Sequence, residues 1–99
     1  MTDIHPQVGT LVRRIVADAR AFREGRLSIQ GLSEDLKLSI AALLQFADPD
    51  WVEELRVFRN RVEYVNAFFI ESGRADLTEE ERRSVDAILE ELLAGLTIE

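Results

Sequence analysis

Between Trp51 and Glu71 the apolar residues Trp51, Leu55, Phe58, Val62, Val65 and Phe69 recur at spacings of four, three, four, three and four. That rhythm lays a seam along one side of a helix, as helix-on-helix packing requires. The same kind of pattern appears three more times. Val8, Leu11, Val12, Ile15, Val16, Ala19 and Phe22 predict an amphipathic helix over 7–24, stopped by Gly25. Ile29, Leu32, Leu36, Ile40, Leu43 and Leu44 predict a second over 28–46, with Ser28 or Ser33 as its N-cap. The third spans 49–72: Asp48 caps it, Pro49 takes the first position, where its missing N–H would be unpaired anyway, and Gly73 ends it. The fourth spans 79–94 and buries Val85, Ile88, Leu89, Leu92 and Leu96. Thr78 followed three positions later by Glu81 is a capping box at its start.

Connections of roughly 3–6 residues between long helices imply antiparallel neighbours. The expected fold is therefore all-α, an antiparallel up-down-up-down four-helix bundle, with residues 1–99 as a single domain. The third helix carries a second apolar stripe at Val57, Tyr64 and Phe68. In a bundle with that helix at its centre, the stripe is expected to lie against a second neighbour; the other possibility is a dimer contact.

Composition narrows the class. At 99 residues and 46% apolar, the chain can bury a core without disulfides or a metal. A domain of this size is expected to be worth about 5–10 kcal/mol in stability. The absence of cysteine removes disulfides, thiolate metal sites and cysteine nucleophiles. The opening Met1-Thr2-Asp3-Ile4-His5-Pro6 has no basic stretch leading into an apolar run, so no signal peptide is expected and the cytoplasm is the expected compartment. Apolar runs such as Ile40 to Leu44 are too short to cross a bilayer, so no membrane role is expected.

The net charge of −7 is uneven: residues 73–99 carry −5, whereas residues 1–26 carry +2. Nucleic-acid phosphates repel such a chain, and basic protein surfaces attract it. Candidate chemistry is sparse. His5, the only histidine, precedes Pro6 at a start expected to fray, where no general base is held in place. The pairs Glu53/Glu54, Glu79/Glu80 and Glu90/Glu91 are adjacent, so their carboxylates diverge around the helix. No glutamate is followed three positions later by histidine, which removes the carboxylate-bridged di-metal pattern. No catalytic residue, metal site or cofactor is expected, and enzyme is not the expected class.

Two polar groupings stand out. Glu63 and Asn66, one turn apart, either form a hydrogen-bonded pair that fixes helix register or recognise a partner. Glu79, Asp86 and Glu90 fall at i, i+7 and i+11, on the face opposite the leucines, and Asp76 and Glu80 extend this acidic patch. Tyr64 is the candidate aromatic anchor for a partner; Trp51 is assigned to the core.

The order Gly25-Arg26-Leu27-Ser28, Trp51, Glu63-Tyr64-Val65-Asn66-Ala67 and Leu77-Thr78-Glu79-Glu80-Glu81 resembles small helical proteins encoded near polymorphic toxins. A small, acidic, cysteine-free helical chain is also similar to the immunity proteins that neutralise bacterial nuclease toxins. The resemblance implies stoichiometric occlusion: carboxylates steer the protein to a basic toxin surface, and an aromatic anchor packs at the centre. The chain departs from the nuclease-colicin immunity family, whose short third helix carries a tyrosine-rich hot spot. Here the third helix is long and holds one tyrosine, so no binding residue carries over. The alternative is a structural or regulatory subunit that self-associates through helix 3, and both monomer and homodimer remain open.

Overall fold

The computed structural model describes residues 5–96, which form four helices and, among the described residues, no strand. These are α1 (Pro6–Arg23), α2 (Ile29–Leu43), α3 (Pro49–Ser72) and α4 (Glu79–Gly95). Among the described residues no helix is long and apolar enough to cross a membrane.

Each helix end has a local chemical cause. His5 is not frayed: its Nδ1 accepts the Gln7 N–H at 3.1 Å, capping α1, and its ring stacks on Phe46 with centroids 4.4 Å apart. Ser28, not Ser33, caps α2, its Oγ accepting the Gly31 N–H at 3.0 Å. The helix stops at Leu43, three residues before its expected end. Leu44, Gln45 and Phe46 there turn back onto Ala41, Ala42 and Leu43 through tighter i→i+3 bonds. That change of pitch turns Leu44, an expected core residue, outward. Gly25 and Gly73 follow α1 and α3 with φ of 79° and 71°, a left-handed conformation that a Cβ would strain.

The capping box at α4 is complete: Thr78 Oγ1 accepts the Glu81 N–H at 3.0 Å, and Glu81 Oε1 accepts the Thr78 N–H at 2.8 Å. Arg74 adds a two-pronged bond to the same carboxylate, at 2.7 Å on each oxygen. Arg74 first, and the Thr78 N–H second, hold the Glu81 carboxyl down to about 2. A depressed carboxyl stabilises the fold above its ordinary value of 4.5, and that contribution fades as pH falls toward 2. Thr78→Ala is expected to cost about 1 kcal/mol, read from chemical unfolding, because two helix-end N–H groups lose their order together.

Buried side chains from all four helices form one cluster, with Ile15, Phe22, Leu32, Leu36, Leu43, Leu55, Leu89 and Leu92 among the largest. Helices adjacent in sequence pack on each other, and α1 meets α4 more sparingly. The molecule is elongated, 49 × 22 × 17 Å. At 24 residues α3 is the longest helix, about 36 Å. Its fully buried positions are Val52, Leu55, Val62 and Asn66. The expected seam residues Trp51, Phe58, Val65 and Phe69 are only half-buried. Trp51 donates its Nε1–H to the Gly95 carbonyl at 2.9 Å, and Phe58 lies beside the same glycine, so this edge of the seam serves α4.

The second stripe does not lie between neighbours. Val57, Tyr64 and Phe68 are 52%, 77% and 61% exposed. Both neighbours of α3 reach it through one arc: α2 meets the Glu63 edge and α4 the Trp51 and Phe58 edge. At 100° per residue, Val57, Tyr64 and Phe68 project from the opposite side of the helix.

Candidate functional site

The outer face of α3 is the most distinctive surface. Spacings of seven and four place Val57, Tyr64 and Phe68 in one row, one to two turns apart. Arg61 lies beside the row, its charge taken by Glu91 of α4 at 2.9 Å. Acids bracket the row. Asp50, Glu53 and Glu54 lie at its N-terminal end and Glu71 at the other. Of these, Glu53 pairs with Arg56 at 3.2 Å, while Asp50, Glu54 and Glu71 form no ion pair among the described residues.

Alongside the row a groove of about 440 Å³ opens between α3 and α4. Tyr64, Val65 and Phe68 form one wall, Thr78, Glu80 and Ser84 the other, and the Arg74–Glu81 pair also lines it. The result is an apolar strip with acidic ends and a partly acidic trough at its side. It suits a surface that carries both exposed apolar side chains and positive charge.

Of the residues singled out from sequence, Tyr64 and Glu80 meet in this groove. The others are dispersed. Arg23 of α1 reaches both Asp86 and Glu90, each at 3.7 Å, and donates to the Asp86 carbonyl at 3.4 Å. Those two acids therefore help close the α1–α4 seam. Glu79 pairs with Arg83 at 3.0 Å. Asp76 lines a separate cavity beside Phe22 and Arg82. Sequence reasoning did not single out Asp50, Glu54 or Glu71 as site residues. Their signal was positional: each falls near the helical angle of the Val57–Tyr64–Phe68 row.

Glu63 and Asn66 belong to a network between α2 and α3. Ser33 donates its hydroxyl to Glu63 Oε2, Arg59 Nη2 approaches the same oxygen at 3.4 Å, and Asn66 Nδ2 donates to Oε1 at 3.4 Å. Ser33 and Asn66 are buried, and the Ser33–Glu63 bond crosses from α2 to α3 while Arg59 and Asn66 hold the same carboxylate from within α3. Ser33 was legible only as a possible cap; its place on the inner face of α2 gives it this second role. Ser33→Ala is expected to cost about 1.5 kcal/mol, the lower end for a bond to a charged acceptor, because Glu63 keeps some access to water. Chemical unfolding at neutral pH checks it.

A third polar site lies between α1 and α2, a cavity of about 280 Å³ lined by Arg14, Asp18, Asp35, Leu38 and Ser39. Burial, then the negative charge of Asp35, raise the Asp18 carboxyl, and Arg14 only partly offsets them. The folded chain thus holds the Asp18 proton more tightly than the unfolded one. This group's contribution weakens as pH rises from its ordinary 3.8 through the raised value and stays unfavourable at neutral pH. Asp18→Asn is therefore expected to raise the unfolding temperature at pH 7. The gain should shrink as pH falls toward about 3, where Asp18 is largely protonated in the folded and the unfolded chain alike.

Among the described residues, no three His, Asp or Glu side chains gather in a metal-binding arrangement. Compared with protein-family models, curated proteins and solved structures, the chain matches none.

Proposed function

We propose that this protein is a non-enzymatic binding module that docks a basic protein partner along the outer face of α3. One observation carries this reading: three large apolar side chains stand exposed in a row with acids at both ends. A row of this kind is costly to leave in water, and it buries well against a complementary partner. Tyr64 is the central anchor. Its ring offers apolar area, and its hydroxyl keeps a hydrogen-bonding tip. Asp50, Glu54, Glu71 and Glu80 steer and orient a positive surface, which acts on the association rate more than on residence time.

The helices supply a rigid mount. We infer an antiparallel up-down-up-down bundle, supported by two contacts between opposite helix ends, His5 on Phe46 and Trp51 with Gly95, and by Ser33 in the first half of α2 meeting Glu63 in the second half of α3. In such a bundle α2 and α4 brace α3 from behind, so its outer face docks with little ordering cost. An inhibitor that occludes its target one-to-one, as an immunity protein does, works by this physics. A toxin-domain gene beside this one would name the partner to test.

Charge argues against a second copy as the occupant. Two α3 helices paired in parallel set each bracket acid against its own copy. Paired antiparallel, with Val57 on Phe68, they set Glu54 against Glu71. Like charges face each other either way. Light scattering on the eluting protein tests this: a monomer of 11.3 kDa is expected at low and high salt. A dimer that persists in salt and dissociates on Tyr64→Asp/Phe68→Asp would transfer the face to self-association.

A further inference from the structure

We propose that the cleft between α2 and α3, on the side away from α4, binds a phosphate-type oxyanion. Its cavity of about 250 Å³ is lined by Lys37, Ile40 and Ala41 from α2 and by Arg56, Arg59 and Asn60 from α3. Three cationic side chains and an amide thus converge on one small space in a chain whose net charge is −7. Lys37, the only lysine, forms no ion pair among the described residues.

The two arginines are incompletely satisfied. Arg56 holds Glu53 at 3.2 Å with one nitrogen. Arg59 reaches Glu63 only at 3.4 Å, and that carboxylate is shared with Ser33 and Asn66. The Arg59 Nε is buried and has no hydrogen-bond partner. A guanidinium with an unpaired donor and one long ion pair is poorly satisfied, and an oxyanion in the cleft offers Arg59, which lines it, a further acceptor. Glu53 and Glu63 neutralise two of the three cations, which leaves one net positive charge at the site.

Geometry selects the class of anion. A single guanidinium fork saturates a planar carboxylate. A tetrahedral phosphate presents oxygens in several directions, as donors from two helices require. Ile40 and Ala41 give an apolar wall beside these donors, so a phosphate monoester with a short carbon chain also suits the cleft. All donors are side chains from mid-helix positions, with no glycine-rich loop or helix N-terminus involved, which is why no sequence motif announces the site.

An NMR titration of backbone amides with inorganic phosphate, at constant ionic strength made up with chloride, tests this. Saturating shifts are expected at residues 37–41 and 56–60. Lys37→Gln/Arg56→Gln should weaken binding at least about tenfold. Both positions lie outside the buried core, so the double variant keeps the fold. Arg26→Gln, at the distant exit of α1, should bind as the native chain does, and acetate should bind at least about tenfold more weakly than phosphate. Shifts that grow linearly, spread over all arginines or survive the double variant would overturn the site. Equal binding of acetate would overturn the phosphate assignment.

Discussion

Phe22→Ala is expected to lower stability by about 3–5 kcal/mol, the largest effect of any single truncation considered for this chain. Phe22 is buried at the last turn of α1 and among the largest fully enclosed side chains. The Arg82 guanidinium of α4 covers its ring at 5.3 Å, and Leu27, Phe69 and Leu77 line the cavity at its edge. The ring therefore joins the end of α1 to the α2 start, the α3 end and the α3–α4 connection. Alanine leaves a void that these short, capped segments cannot close without giving up their hydrogen bonds. In a domain worth about 5–10 kcal/mol, that loss removes about half of the stability. Urea unfolding should show an earlier midpoint with an unchanged slope, whereas Phe22→Leu, which keeps most of the volume, should cost about 1–2 kcal/mol.

The second large effect is on binding. Tyr64→Ala is expected to weaken the partner complex by at least about 2 kcal/mol, some thirtyfold, mainly through faster dissociation. The same change should leave the fold within about 0.5 kcal/mol of the native chain, because the Tyr64 ring faces solvent. Glu54→Lys/Glu71→Lys should act differently. It slows association and flattens its dependence on salt, with a smaller effect on dissociation. Stopped-flow or surface-binding kinetics separate the two patterns.

Much of the fold was legible because caps and stops are local chemistry. Thr78 with Glu81, Asp48 before Pro49, Gly25 and Gly73 each mark their boundary through one or two backbone groups. The end of α2 was harder. Leu43, Leu44 and Phe46 continue an apolar run, and only the i→i+3 turn there decides which of them points inward. The buried side of α3 keeps Leu55 and Val62 of the expected seam but is turned from it by a fraction of one position. The aromatic Trp51, Phe58 and Phe69 are half-buried at its edge, whereas Val52 and Asn66 join the buried centre.

The candidate site was less legible than the fold. The Val57, Tyr64 and Phe68 spacing was visible, but periodicity does not say how many sides of a helix its neighbours cover. That depends on where α2 and α4 sit, and both touch the same arc of α3. The acids of α4 showed the complementary problem. Their register is correct on the helical wheel, yet Arg23 comes from a distant helix to meet Asp86 and Glu90, a pairing that no local pattern encodes. Ser33 reaches Glu63 across 30 positions for the same reason.

Capture from a whole lysate of the native host, with the wild-type chain and its Tyr64→Asp/Phe68→Asp variant as parallel baits, is the most direct measurement of the proposed docking face. Quantitative mass spectrometry of both eluates is expected to show one strongly basic protein, equimolar with the wild-type bait, released by raised salt and missing from the variant. Equal recovery of that protein on both baits, or an acidic protein held through high salt, would contradict docking of a basic partner on the outer face of α3.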